Sequence, residues 1–547
     1  MSCNSSRLIL YFGDEVIDVP KFDGTTFFYS IGSAVDVNKS VSVNNSTRLN
    51  QIALEYRDSY SKWIYSMNQS SVHRGLVSEG LSLFLVSDCS AKRTELFPTY
   101  SFFCNLKLIQ EIVRERRPDE ILVVNANKGW VKPLLSVVGE IPVVVLKEKT
   151  HSLQTVKRLL SDLRFLFHLL VVVCLNVTSR RRRVAEPFGS QRMFFSIYPK
   201  MIDDQGIDRK YRESVGNSDN LAVTILTDGY HQRVSINRYS VLRAEIVARG
   251  AHVIDDYLGL TDWTKCLYWL VSVRLKVKRL PKQYLFSGID LSSWIKDEMK
   301  QSASRIARFM ALKGGFNKFF KNVKVDEFVY YLHEYPLGRL ISWVLAIKHP
   351  DVTRIGFQHG PCAWRKMVYS LSPGEVGAPA NYSIHVPIPD KVYAEDSMSA
   401  KIYRYSGFKD VQIMTRIFRL DYLDDMTRDL DADITLIAPG LNDGPAVLKT
   451  LWAEFIENES CEFLIKPHPL ANNDYIKEDE LPKNVRIAHQ PVYNLLPKVK
   501  KLYVTYSSVG CEAARLGIPV SLVEVPGQIN ESPLLDSPHE KYSLTIN

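Results

Sequence analysis

From Asp431 onward the chain repeats one pattern: a short apolar run, a turn bearing Gly, Pro or Ser, then an amphipathic stretch. The runs ITLIAPG, CEFLIKPHP, VRIAHQ, KLYVTYSS and PVSLVEV alternate with the helical segments AVLKTLWAEFIEN, VYNLLPKV and GCEAARLG. Apolar runs of roughly four to eight residues bounded by turns read as buried strands, and a helix between successive runs reads as a crossover. A chain patterned this way forms a parallel sheet covered by helices. Upstream, Leu8 to Phe12, EILVVNA, PVVVLK, LAVTILTDG, RIGFQHG and NYSIHVPIP read as further strands, with NLKLIQEIVRERR as a crossover helix. The chain has 547 residues, enough for more than one core. The expectation is an α/β protein of two Rossmann-like domains: residues 1–395, with a basic and apolar insertion around 150–290, and residues 396–547. The carboxyl ends of their strands would face a cleft, where ligands of open α/β sheets bind.

In LIKPHPLANN, Lys466, Pro467, His468 and Pro469 follow an apolar strand directly. Proline fixes φ and donates nothing to a ladder, so the pair ends the strand and holds the imidazole in a rigid turn. Gly440, in APGLNDGP, sits in a loop leading into a helix whose free N–H groups can meet a phosphate. Ser507 and Ser508 lie where a later helix begins, to cap it or to bind an anion. Glu512 falls one turn beyond Ser508, placed to accept from a ribose diol or simply to complement the helix dipole. All of these leave one sheet edge. Asp429, Asp431 and Asp433 imitate a metal-binding DxD motif but precede a strand, so they read as a solvated linker.

At 46% hydrophobic and 24% charged, the composition excludes a disordered chain, and a net charge of +9 suits an anionic substrate or surface without calling for nucleic acid. Eight cysteines without CxxC spacing point to reduced thiols and no structural metal. The N-terminus lacks a secretory pattern, so a cytoplasmic location is expected. The run FLFHLLVVVCLNV, residues 165–177, reads as too short to span a bilayer and as a buried element. The four arginines 180–183 and the stretch CLYWLVSVRLKVKRLPK suit peripheral contact with anionic lipid on the inner membrane face.

KPHP followed some thirty-five residues later by YSSVGCEAARLGIPV resembles the donor half of bacterial capsule and surface-polysaccharide glycosyltransferases of GT-B architecture. The resemblance is to enzymes using CMP-activated ulosonic acids, the capsular Kdo transferases and polysialyltransferases. The segment HEYPLGRLISWVLAIKHPDVTRIGFQHGPCAWR is similar to surface carbohydrate biosynthesis proteins. The similarity covers roughly residues 331–525. It implies a GT-B-like fold and a metal-independent transferase that takes a CMP-sugar as co-substrate, with no other cofactor, and a glycan or glycolipid as acceptor. It implies that His468 donates to the donor phosphate and that Ser507 and Ser508 hold that phosphate or the ribose; Gly440, Lys466 and Glu512, by their own positions, are further candidates for the donor site. Across the cleft, Glu334 or His359 would activate the acceptor hydroxyl or hold the ulosonate carboxylate. Asp228 and Asp290 are further candidates for base or nucleophile. Polymerases that transfer glycerol phosphate from CDP-glycerol carry similar His-Pro and Tyr-Ser-Ser motifs, and a non-catalytic GT-B scaffold that binds glycan or nucleotide is a further alternative.

Overall fold

The computed structural model describes residues 5–12, 20–32, 40–94, 96–146, 148–149, 154–178, 192–197, 199, 202–204, 206, 208, 221–227, 236–332, 336–377, 381–414, 418–429, 431–469, 471, 475–536 and 542–545. Three parallel sheets follow one another. The first contains β1 (Ser6–Phe12), β2 (Thr25–Ile31), β3 (Val41–Ser42), β4 (Glu120–Val124) and β5 (Val143–Val145), in the order β3-β2-β1-β4-β5. The helices α1 (Ser46–His73) and α2 (Thr99–Arg116) belong to this part of the chain.

The second sheet contains β6 (Arg192–Ser196), β7 (Leu221–Thr224), β8 (His252–Val253), β9 (Glu327–Tyr331), β10 (Thr353–Phe357), β11 (Lys391–Ala394) and β12 (Asp410–Ile413). Their order is β8-β7-β6-β9-β10-β11-β12. Its helices include α3 (Gln154–Thr178), α4 (Leu260–Lys278), α5 (Ser292–Asn322) and α6 (Pro336–Lys348). The third contains β13 (Ile434–Ala438), β14 (Phe463–Ile465), β15 (Val485–Ile487), β16 (Val499–Val504), β17 (Val520–Val523) and β18 (Tyr542–Thr545), in the order β15-β14-β13-β16-β17-β18. It carries the short helices α7 (Gly444–Thr450) and α8 (Val509–Arg515).

Each sheet winds outward both ways from its first strand, the doubly wound order that opens a crevice between its first and fourth strands. The fold is α/β, built on doubly wound, Rossmann-like parallel sheets. The amino-terminal unit holds two such sheets on one core: Leu10 and Ile121 of the first and Phe195 and Phe328 of the second join through Phe309 and Phe316 of α5. The third sheet has separate cores on its two faces.

Four expectations change. The boundary at 396 cuts the second sheet, because β12 pairs with β11 and Ile402, Tyr403, Phe408 and Val411 pack into that sheet's core. Residues 150–290 are no insertion, since they supply β6, β7 and β8. NYSIHVPIP is not a strand: Pro387 and Pro389 cannot donate to a ladder, and pairing starts at Lys391. The run 165–177 is also only half buried. It belongs to α3, which buries Phe165, Leu169, Val172 and Val173 while exposing Leu163 and Phe167. By length and composition Val156–Val177 would suffice to cross a bilayer. Its Asp162, however, is buried and ion-paired to Arg274 of α4 and Arg308 of α5, which fixes the helix against the core.

The segment after β17 fastens the third sheet to the amino-terminal unit. Gly32, just past β2, donates its N–H to the Pro526 carbonyl at 2.8 Å, and Asn105 Nδ2 donates to the Gly527 carbonyl at 2.9 Å. Gly527 has φ +70°, and a Cβ there would lie 2.7 Å from the Ile31 Cα. Arg365, in the connection after β10, makes a buried ion pair with Asp536 at 2.7 Å. The segment after β17 thus meets the loops that follow β2 and β10, and α2.

Candidate functional site

β14 ends where the sequence requires. The Lys466 N–H makes a last ladder bond to the Ile437 carbonyl at 2.8 Å, and Pro467 and Pro469 then leave the sheet. His468 is half-buried, and burial holds its imidazole below the ordinary range, so it is neutral near pH 7. The Lys466 ammonium donates to the carbonyls of Ala488 and His489 at 3.3 and 3.4 Å. Lys466 and His468 line one pocket of about 350 Å³ with Glu478 and His489, between the ends of β14 and β15. Ser507 and Ser508 do not line it.

The serines belong to the switch-point crevice, between β13 and β16. Ser508 occupies the N-cap position of α8 yet makes no side-chain cap bond; its hydroxyl lies 3.4 Å from Glu512 Oε1. The Tyr422 hydroxyl donates to Glu512 Oε2 at 2.7 Å. These contacts leave acceptor capacity on the carboxylate. Gly440 is on the opposite lip, where the aromatic ring of Tyr506 covers it: a Cβ would meet the ring at 2.5 Å. Its small size is required by this packing. Between the lips the buried Asp443 accepts from the Thr505 hydroxyl. Burial raises the Asp443 pKa, and the Thr505 bond opposes that shift.

On the facing unit, His359 stands two residues past β10, its ring 4.3 Å from that of Tyr331. The preceding Gln358 is fully buried, donating to the Gly360 carbonyl at 2.8 Å and the Ser399 hydroxyl at 3.1 Å while accepting from the Glu395 N–H. That amide locks the Gln-His-Gly turn. Glu334 and Asp228 lie outside the described residues. Asp290 is engaged by Lys132 and Ser292, a structural use that does not suit a nucleophile. Asp429, Asp431 and Asp433 are exposed at the amino end of β13, away from the cleft edge.

The structure therefore brings Lys466 and His468 together, and separately Ser508 and Glu512, one strand apart from them across β13. Sequence reasoning missed Asp443, Tyr506, His489 and Tyr422. For Asp443 the signal was the Asn-Asp-Gly-Pro turn; for Tyr422 there was none, because it meets Glu512 across ninety residues of chain.

No protein-family profile matches the chain, and no curated protein matches it at a significant level. Among solved structures it is similar to a calicheamicin glycosyltransferase, with 13% identity, 63% of this chain and 83% of that one covered, and a TM-score of 0.35. It is also similar to the wall teichoic acid polymerase TagF, with 12% identity, coverage of 68% and 79%, and a TM-score of 0.29. A β-Kdo 2,7 transferase of Thermosulfurimonas dismutans shares 19% identity over 24% of this chain and 47% of that one, at a TM-score of 0.16. Likeness of this degree leaves reaction and substrate open.

Proposed function

We propose that the chain is a glycosyltransferase moving an acidic ulosonic sugar, of Kdo or sialic-acid type, from a CMP donor to a surface glycan or glycolipid. The observation that carries this reading is the placement of two polar groups on one sheet edge: the Lys466–His468 pocket at the end of β14 and the Ser508–Glu512 pair beside β16. β14 and β16 both flank β13, so two inter-strand spacings, about 10 Å, separate their ends. A nucleoside monophosphate spans that distance, with its ribose at Glu512 and its phosphate at His468.

As the glycosidic bond breaks, charge builds on the departing phosphate. The neutral His468 donates one N–H to it and Lys466 supplies positive charge at its side. His359, on the facing edge, takes the proton of the acceptor hydroxyl, a role for which Glu334 is the other candidate. Asp228 remains the alternative carboxylate. The test is a thermal-shift panel on the full chain. CMP should raise the melting temperature, and at about 100 times its Kd a ligand adds about 2.7 kcal/mol. Stabilisation by uridine nucleotides with none by CMP would overturn the donor assignment.

A further inference from the structure

Two cavities lie side by side between α3 and α5. The larger, about 510 Å³, has an apolar interior that includes Leu159, Val277 and Met299, and a rim of lysines that includes Lys278, Lys282 and Lys300. Among the described residues no carboxylate lines it. The smaller, about 340 Å³, is polar and lies at the carboxyl end of β7, beside Leu226 and Thr227. Arg158 and Ser304 line both cavities, so they form the wall that joins them.

The polar cavity carries surplus positive charge. Asp88 is buried between Arg305 at 2.6 Å and Arg93 at 3.6 Å, and Asp162 is buried between Arg308 at 3.2 Å and Arg274. Of the side chains that line this cavity, the four guanidiniums of Arg158, Arg164, Arg305 and Arg308 stand against the two carboxylates of Asp88 and Asp162, a net charge of +2. Partly desolvated guanidiniums in surplus favour an anion with several acceptor oxygens. An apolar cavity rimmed by lysine favours a hydrocarbon chain. Both demands are met by one molecule, an amphiphile with an anionic head.

The outer surface indicates where such a molecule comes from. Beside the larger cavity, α3 exposes Leu160 and Leu163, and the neighbouring α4 exposes Tyr268, Val271 and Leu275, each by more than half. Two apolar stripes flanked by lysine and arginine match the interface of an anionic bilayer. Phe97 lines the polar cavity, and Thr94, three residues earlier, donates to Glu531 of the fastening segment at 2.8 Å.

We infer that the two cavities form one site for an anionic membrane lipid, with the acyl or isoprenoid chain in the apolar cavity and the phosphate head among Arg158, Arg305 and Arg308. Given the transferase reading, on which this step rests, the acceptor is carried on a lipid phosphate. Calorimetric titration of the full chain with dioctanoylphosphatidic acid, dioctanoylphosphatidylcholine and inorganic phosphate tests the site directly. The phosphatidic acid should bind at least tenfold more tightly than either of the others. Arg158→Glu, and separately the half-exposed Leu159→Asp, should each weaken that binding at least tenfold while the thermal shift with CMP is retained. Equal binding of the choline lipid would reduce the site to an apolar groove, equal binding of phosphate would reduce it to an anion pocket, and full binding by both variants would place the lipid elsewhere; each outcome overturns the inference. Lipid binding without any nucleotide response would sink the transferase reading and leave the lipid site standing.

Discussion

Burial lowers the His468 pKa and keeps the imidazole neutral with one N–H to donate to an oxyanion, and the prolines on either side remove the freedom that would blur its aim. His468→Ala should therefore lower turnover on CMP-Kdo or CMP-sialic acid by roughly 10² to 10³ with the melting temperature unchanged. A variant that melts normally and transfers at the parental rate would remove this residue from the mechanism. Far from the cleft, Glu298 of α5 is buried beside Thr99, and burial pushes its carboxyl up to about 8. Between the ordinary glutamate range and that value the folded state keeps a proton the unfolded state releases. Its contribution is thus fully present at low pH and is lost as pH rises through about 8, with a slope of up to about 1.4 kcal/mol per pH unit. Glu298→Gln should flatten the urea midpoint between pH 5 and 9, whereas an unchanged slope would assign the pH dependence to other groups. The histidine was legible in sequence because proline announces a strand's end. Glu298 was not, because an isolated glutamate in an amphipathic helix reads as solvated until the packing of α5 is known.

The loops that end β13 and β16 are made complementary by one glycine. Gly440→Ala would press a methyl group into the Tyr506 ring, and relieving an overlap of this kind costs about 1–3 kcal/mol. Donor KM should rise together with the loss of stability as Tyr506 turns toward the crevice, while Gly444→Ala, which instead meets Tyr475, should leave the Tyr506 lip in place. A Gly440→Ala protein with unchanged melting temperature and KM would show that the ring moves freely. This glycine was visible in sequence for the wrong reason: a Gly-bearing βα turn suggests phosphate, and its partner lies sixty-six residues further on. Among the strands, those with continuous apolar runs, such as ITLIA and LYV, were readable because burial on both faces leaves no alternation to confuse. The edge strand β12, Asp-Val-Gln-Ile, buries only its valine and offered no such run, which is why the domain boundary was placed too early.

At the scale of the molecule, two units with separate cores are held edge to edge by the segment 525–536, and their joint rests on a desolvated charge pair. Arg365 and Asp536 are each about 5% exposed; the guanidinium also donates to the Asn530 carbonyl, and the carboxylate also accepts from the Trp364 N–H. Removing one partner of such a pair strands the other charge in the interior, at about 3–5 kcal/mol. Arg365→Ala should therefore lower the melting temperature and open the connection between β12 and β13 to limited proteolysis. On the proposed reading the donor groups all lie at the strand ends of the third sheet, so CMP should still stabilise that sheet while transfer to acceptor fails. If charge pairing as such is dispensable, filling the same volume with apolar atoms should restore the joint: Arg365→Met with Asp536→Leu should recover much of the lost stability and protease resistance. Recovery of stability together with transfer would mean that the pair acts only as a fastener. Recovery of stability without transfer would mean that its hydrogen bonds also set the angle between the two edges. An Arg365→Ala protein as stable, as protease-resistant and as active as the parent would show that the units are held by something other than this contact.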